Sequence, residues 1–304
     1  MKSATDPPQP VSKVGISGIP IEEPAAETDL RALHNPPARG AIDRFVRRFK
    51  VVSHLLAVLA LYALAATAIG FALAPALWFL HHWNVWTGGV GLHGWAHWLV
   101  LGTGYGIAFF ITGLAMLAIV PVYNFVLPTR VKPFKGGYFS IASVPWFLHN
   151  GLFYLVRYTF LPFFTLTPFG LWFLRAMGMK LGKRAFINTE FISDPRLITV
   201  GDDAVIGGSV HLFAHFGGGG HLCVAPVVIG ARTTIGQNAT VMGDVAIGAR
   251  ATILPHSVLL PGSRVGEGET WGGVPARRIT REEMEQFKQS IHGLIVRDVE
   301  KPPD

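Results

Sequence analysis

A six-residue period in the second half of the chain restricts its fold more than any other feature of the sequence. Apolar residues recur at every sixth position, namely Ile229, Ile235, Val241, Ile247, Ile253, Leu259, Val265 and Trp271. Glycine directly follows five of them, at Gly230, Gly236, Gly248, Gly266 and Gly272. An ordinary sheet would show a period of two, whereas a six-residue period is typical of a β-helix. We therefore predict a parallel β-helix with three hexads per coil and inward-pointing apolar residues.

The same period extends upstream. The earlier members are Leu181 and Ile187, which are in step, and Val200, Ile206 and Leu212, which are one residue out of phase. Residues 213–228 therefore contain an insertion, and we expect an irregular exposed loop there, because residues 217–220 are four consecutive glycines. A loop on a regular scaffold is a common place for chemistry.

Several residues with chemical potential lie in or beside this insertion. They are His211, His215 and His221, together with Cys223, the only cysteine of the chain. Histidine suits the role of a general base near neutral pH. A nucleophilic role for Cys223 is an alternative, but we expect it to be a small buried hydrophobe. A single cysteine excludes a disulfide framework and a multi-cysteine metal site.

The first half of the chain is apolar enough to enter a membrane. Residues 51–129 contain no Asp, Glu, Lys or Arg, and a spanning helix needs only ~20 apolar residues. We predict spans at about Val51–Leu73, extending to Leu80 if Pro75 only kinks the helix, and at about Trp98–Leu127. We expect the connection, residues 81–97, to be an interfacial loop rich in Trp, His and Gly.

The distribution of positive charge predicts the orientation of the two spans. Five basic residues precede the first span (Arg39, Arg44, Arg47, Arg48, Lys50), the loop has none, and three follow the second (Arg130, Lys132, Lys135). Both termini are therefore expected to be cytoplasmic, in a bacterial-type inner or plasma membrane. The net charge of +7 lies mainly beside the apolar half, which argues against nucleic acid as a partner and for membrane lipid.

We divide the chain into five segments on these patterns. They are a disordered leader (1–38), a juxtamembrane segment with two transmembrane helices (39–135), interfacial or re-entrant helices (136–180), the β-helix (181–279), and a C-terminal helix and tail (280–304). The expected fold class is α+β. Within 136–174 the only charge is Arg157, which is either functional or, as we expect, snorkels to the interface.

The β-helical half resembles the left-handed β-helix acyltransferases. The stretch DPRLITVGDDAVIGGSVHLFAHFG (194–217) aligns without a gap with a family segment that contains the catalytic histidine, and FLRAMGMKLGKRAF (173–186) is similar to the family's entry into the first coil. The run ILPHSVLLPGSRVGEGETWGGVPARRI (253–279) resembles the membrane-embedded C-terminal repeats of epsilon-poly-lysine synthetase and related non-ribosomal peptide synthetases. Ala214 and Phe216 depart from the family's usual threonine and aspartate.

The resemblance implies a chemistry and a set of site residues. His215 takes the place of the family's catalytic histidine and would be the general base. Asp194 would orient it or cap a turn, and His211 and His221 would lie nearby in supporting or incidental roles. The donor would be acyl-CoA or a phosphopantetheine thioester, bound near Trp271, Arg277 and Arg278. The family also implies a homotrimer with sites between subunits. We expect no tightly bound cofactor and no metal.

Three other functions remain open at this point. An amide-forming condensation module would use an aminoacyl thioester on a carrier protein. A non-catalytic membrane scaffold would use the β-helix only for assembly. A γ-class zinc hydrolyase would use His211, His215 and His221 as ligands, although these enzymes gather their histidines from separate coils and subunits, and here all three lie within eleven residues.

Overall fold

The computed structural model describes residues 40–127, 129–286 and 289. The predicted leader, the second half of the C-terminal helix and the tail lie outside these residues. The α-helices are α1 (Gly40–Arg48), α2 (Lys50–Val90), α3 (Gly94–Val126), α4 (Val144–Arg157), α5 (Leu161–Phe164) and α6 (Pro168–Ala176), and short 3-10 helices cover Ile141–Ser143 and Pro195–Leu197.

Helices α2 and α3 correct the predicted interfacial loop. Helix α2 passes through Pro75 and ends at Val90, with Gly91 in the left-handed conformation as its C-cap. Helix α3 begins at Gly94, so most of residues 81–97 are helical. The prediction underestimated these helices because Trp, His and Asn are compatible with helix when neighbouring side chains pack on them. The Trp83 indole, for example, donates a hydrogen bond to the Val100 carbonyl at 3.0 Å.

Both long helices are apolar and largely uncovered. They are long and apolar enough to cross a membrane by length and composition alone. Large apolar side chains are exposed along both, including Val51, Leu59 and Trp78 on α2 and Trp95 and Phe125 on α3. The buried positions of α2 are small residues (Ala68, Ala72, Ala76), which allow close contact with α3.

Short helices join this pair to the second half of the chain. Gly151 of α4 faces Leu61 of α2, and Gly113 of α3 faces Phe160 and Phe164. The expected break-up of residues 136–174 into short helices is therefore confirmed. One hydrophobic core runs from Ala68 through α4 and α6 into the β-strands, so α4 is an internal layer of the molecule.

The second half is a parallel β-solenoid, as the hexad pattern predicted. Its strands are β2 (Lys180–Leu181), β3 (Phe186–Ile187), β4 (Ile192–Ser193), β5 (Ile198–Val200), β6 (Val205–Ile206), β7 (His211–Phe213), β10 (Val227–Ile229), β11 (Thr234–Ile235), β12 (Thr240–Val241), β13 (Val245–Ile247), β14 (Thr252–Ile253), β15 (Val258–Leu259), β16 (Arg264–Val265) and β17 (Thr270–Gly272). Residues three hexads apart are paired, as in Ile229 with Ile247 and Ile235 with Ile253. The inward aliphatic side chains are almost completely buried.

The insertion is an ordered hairpin, not the irregular loop that was predicted. Strands β8 (His215–Gly218) and β9 (His221–Val224) pair antiparallel, and β9 also pairs with β1 (Phe134–Gly137) from the segment after α3. A strand more than eighty residues earlier in the chain satisfies the backbone of β9, and local sequence does not show that partner.

The last described segment closes the solenoid. Strand β18 (Arg277–Ile279) pairs antiparallel with β17. A capping box then starts a helix: Glu283 accepts from the Thr280 amide at 2.8 Å, and the Glu283 amide donates to the Thr280 hydroxyl at 3.2 Å.

Candidate active site

The centre of the candidate site is a contact between His215 and Asp194. The solenoid brings these residues together because β4 and β7 are neighbours in successive coils, with Ser193 paired to Phe213. The His215 Nδ1 donates to Asp194 Oδ2 at 2.6 Å. The Asp194 side chain is fully buried and that of His215 is 22% exposed. The other ring nitrogen, Nε2, has no hydrogen-bond partner among the described residues, so it is free to meet a substrate.

Asp194 is held in place from its other side by helix α4. Asn150 Nδ2 donates to Asp194 Oδ1 at 2.6 Å, and the Asp194 amide donates to Asn150 Oδ1 at 3.3 Å. Asp194 has a left-handed backbone conformation, with φ 58° and ψ 49°. Asp is one of the few residues that tolerate this conformation, and it turns the carboxylate toward His215 and α4.

One face of α4 lies over the outer surface of β4 and β7. Trp146, Asn150, Tyr154 and Arg157 are spaced four, four and three residues apart, which places them on one helix face. The Trp146 indole contacts the His215 ring edge-on, with centroids 5.2 Å apart. Tyr154 shares a hydrogen bond with Ser193 Oγ at 2.6 Å. The site is therefore built from the helical and the solenoid halves together.

Arg157 corrects a sequence-based expectation. It is 5% exposed and lies among aromatic rings, so it does not snorkel to an interface. Its Nη1 donates to the Ile192 carbonyl at 3.3 Å and to Ser193 Oγ at 3.4 Å.

His149 forms a second buried polar contact beside the site. Its Nδ1 donates to the side-chain oxygen of Asn124 at 2.7 Å, and Asn124 also accepts from Thr129 at 2.8 Å. Burial lowers the pKa of His149 to about 4, partly offset by the negative charge of Asp194. The ring is therefore neutral at physiological pH, and its buried Nε2 has no hydrogen-bond partner among the described residues.

The other two histidines do not join the His215–Asp194 pair. His211 stacks on Phe191 with centroids 4.8 Å apart; its pKa is lowered by burial and by the charge of Arg157. His221 lies near the tip of the hairpin, where it pairs with Gly218 and donates to the Gly219 carbonyl at 3.2 Å. Within the described residues, no group of three His, Cys, Asp or Glu side chains converges as a metal site.

Cys223 is buried in β9, opposite Lys135 of β1. Burial raises the pKa of its thiol, which opposes formation of a thiolate nucleophile.

The residues expected to bind the donor lie on the last coil and contact each other. The Trp271 indole donates to Glu269 at 2.9 Å, and Arg278 forms an ion pair with the same carboxylate at 3.3 Å. Arg277 pairs with Glu283 at 2.8 Å. Both arginines are exposed. None of the contacts found in the described part of the chain joins these residues to His215.

Sequence reasoning missed the contributions of Trp146, Asn150 and His149. These few polar or amphipathic residues stand at helical spacing in an otherwise apolar segment, and this pattern could have indicated them. Only Arg157 was singled out there, because it alone carries a charge.

Comparison with known proteins agrees with the solenoid. The family model described as bacterial transferase hexapeptide (six repeats) matches residues 226–268. Residues 226–268 therefore carry the hexapeptide repeat of bacterial transferases.

The curated proteins include a relative of a more particular kind. A delta-poly-L-ornithine synthetase from Acinetobacter baumannii is 31% identical over 140 residues, covering 41% of this chain and 10% of that protein. The chain thus spans about a tenth of the length of that relative.

Solved structures of the family are also similar. A hexapeptide-repeat acetyltransferase from Vibrio cholerae, determined with acetyl-coenzyme A, is 28% identical over 34% of this chain and 60% of its own, with a TM-score of 0.32. A maltose O-acetyltransferase from Clostridium difficile is 16% identical over 49% of this chain and 92% of its own, with a TM-score of 0.39.

Proposed function

We propose that the protein is a membrane-bound acyltransferase in which His215 is the general base. The observation that carries the proposal is the 2.6 Å contact between His215 Nδ1 and the fully buried Asp194. A carboxylate on Nδ1 sets the ring tautomer, so that Nε2 carries the lone pair that accepts a proton. Asn150 keeps the carboxylate in position.

The chemistry is direct transfer from a thioester. His215 Nε2 removes the proton from the amine or hydroxyl of the acceptor as the acceptor's N or O bonds to the thioester carbonyl carbon. The tetrahedral intermediate then breaks its C–S bond, and the leaving thiolate takes the proton from the imidazolium. A positioned base of this kind contributes ~10²–10⁴-fold to the rate, and no covalent enzyme intermediate is needed.

A membrane location is supported by α2 and α3. Exposing the apolar surface of these helices to water would be unfavourable, and each helix exceeds the ~20 residues that a bilayer core requires. In the proposed arrangement both termini are cytoplasmic, α4 lies at the cytoplasmic interface of the membrane, and membrane lipid covers α2 and α3.

The donor is proposed to be acyl-CoA, bound along the solenoid with Arg277, Arg278 and Trp271 near its polar end. The exposed guanidinium groups of both arginines suit phosphate contacts once their carboxylate partners are displaced. In a homotrimer, a neighbouring subunit would cover this face of the solenoid.

A second candidate is amide formation from an aminoacyl thioester on a carrier protein. The similarity to a delta-poly-L-ornithine synthetase favours it. The same His215 chemistry would apply, with a phosphopantetheine arm on a carrier in place of CoA.

The test is thiol release from acetyl-CoA by the purified protein in detergent, with simple amines and sugars as acceptors. We expect turnover by the wild type, a loss of ~10²–10⁴-fold in His215→Ala, and nearly unchanged turnover in Cys223→Ala. A larger loss in Cys223→Ala than in His215→Ala would contradict direct transfer. Turnover only with carrier-bound aminoacyl thioesters would select the second candidate.

A further inference from the structure

Arg157 has an unusual environment for a buried arginine. Its guanidinium carbon lies 5.1 Å from the ring centroid of Tyr154, 4.9 Å from Tyr158, 5.3 Å from Phe191 and 5.9 Å from Phe213. No carboxylate of the described residues forms an ion pair with it. A buried charge without an ionic partner is costly, so this arrangement needs a reason beyond packing.

One edge of the guanidinium has no hydrogen-bond partner among the described residues. Nη1 makes the two hydrogen bonds to β4, but Nε is buried without a partner, and Nη2 makes no hydrogen bond within the described part of the chain. Nε and Nη2 form an edge with two parallel N–H bonds, which matches a carboxylate in bidentate geometry.

The Arg157 guanidinium lies on the same outer surface as the proposed base. His211, Phe213 and His215 alternate with the inward Leu212, so their side chains share that surface. The Phe213 ring contacts the His215 ring, with centroids 5.9 Å apart, and lies under the Arg157 guanidinium. One aromatic ring therefore separates Arg157 from the base.

This position suits the acceptor better than the donor. In a CoA thioester the phosphates lie at the opposite end of the pantetheine arm from the sulfur. An anion held one ring away from His215 is therefore close to the reacting atoms, where the acceptor lies. The aromatic rings would exclude water and strengthen a charge-assisted hydrogen bond.

We infer that Arg157 binds a carboxylate of the acyl acceptor, so that the acceptor is an amino or hydroxy acid. The inference rests on the proposed acyl transfer, because it names the acceptor of that same site. Arg157 would position the acceptor, while His215 removes its proton.

The test uses ω-amino carboxylates from glycine to 6-aminohexanoate, each against its primary amide, at equal free-amine concentration with acetyl-CoA. Two charge-assisted hydrogen bonds predict a carboxylate preference in kcat/KM of ~10–100-fold for the chain lengths that fit. Arg157→Gln should remove the preference by raising the KM for the acceptor and not for acetyl-CoA. Arg175→Gln, at an exposed arginine on α6, is the matched control and should keep the preference.

Other outcomes overturn the inference. One is equal use of acid and amide by the wild type, and this measurement does not depend on whether Arg157→Gln folds. The other is an equal loss of turnover for both acceptors in Arg157→Gln, which would indicate a purely structural role. A higher KM for acetyl-CoA but not for acetyl-pantetheine in Arg157→Gln would assign the anion to the donor.

A binding measurement separates this inference from the proposed function. If no acceptor supports turnover, calorimetry with 6-aminohexanoate and with its amide still decides the carboxylate site. Preferential binding of the acid by the wild type, lost in Arg157→Gln, would keep the site while the acyl transfer fails. Equal binding or no binding would overturn the site as well.

Discussion

Asn150 and Asp194 hold each other in both directions: the Asn150 amide donates to the Asp194 carboxylate at 2.6 Å, and the Asp194 backbone amide donates to the Asn150 side-chain oxygen at 3.3 Å. This pair joins helix α4 to the solenoid directly behind His215. The helical half therefore supports the candidate base, and changes on α4 should be measurable in the chemistry.

Replacing Asn150 with Ala should lower both stability and turnover. The variant leaves a buried Asp194 oxygen unpaired, which costs about 1–3 kcal/mol in the free energy of unfolding. We expect kcat to fall while the KM for acetyl-CoA stays constant, because Asn150 acts through Asp194. Thermal unfolding and steady-state kinetics measure the two effects. Thr159→Ala, just beyond α4, is the control, and a changed KM with constant kcat would argue against positioning.

Asp194→Asn should reduce turnover by ~10²-fold or more while the protein still folds, because an amide oxygen no longer offers a negative charge to the imidazolium. His221→Ala, at the hairpin tip, should cost much less. Turnover in Asp194→Asn equal to that of the wild type would mean that Asp194 only caps the turn and that its 2.6 Å contact with His215 does not support the base.

His149 predicts a stability change in mildly acidic solution. Its pKa is about 4 in the folded protein and 6.5 in the absence of burial, so the unfolded chain binds the extra proton between these values. The free energy of unfolding should therefore decrease as the pH falls from 6.5 to 4, by at most roughly 3 kcal/mol. His149→Gln cannot take up this proton and should show a flatter profile in denaturant titrations at pH 7 and pH 4.5. Identical profiles would contradict the assignment.

The proposed topology can be tested with single cysteines in a Cys223→Ala background. His93→Cys lies in the short connection between α2 and α3, and Arg281→Cys lies in the helix after the solenoid; both positions are exposed. An impermeant thiol reagent applied to intact cells should label only position 93. Labelling of position 281 alone would indicate the opposite orientation.

The homotrimer remains a prediction, and its measurement is the native mass in detergent. A trimer would place six long apolar helices around one axis and let neighbouring solenoids cover each other's flat faces. A stable monomer that still turns over acetyl-CoA would contradict the proposed site between subunits.

The solenoid and the two long helices can both be predicted from local sequence patterns. An inward aliphatic residue at every sixth position is compatible with little else, because each coil must bury its own apolar side chains, and the paired residues at 235 and 253 follow that period. The uncharged run from 51 to 129 predicted two apolar helices for a similarly local reason. The family resemblance predicted His215 and Asp194 as site residues. Their separation of 21 residues is slightly longer than one coil of three hexads.

The enclosure of the site depends on contacts between distant parts of the chain. Asn150 lies 44 residues before Asp194, and β1 lies some ninety residues before its partner β9; no local sequence pattern indicates either pairing. The hairpin, the buried Arg157 and the neutral His149 all depend on α4 packing against the solenoid. Such packing follows from the summed fit of many side chains across the core, which no short stretch of sequence records.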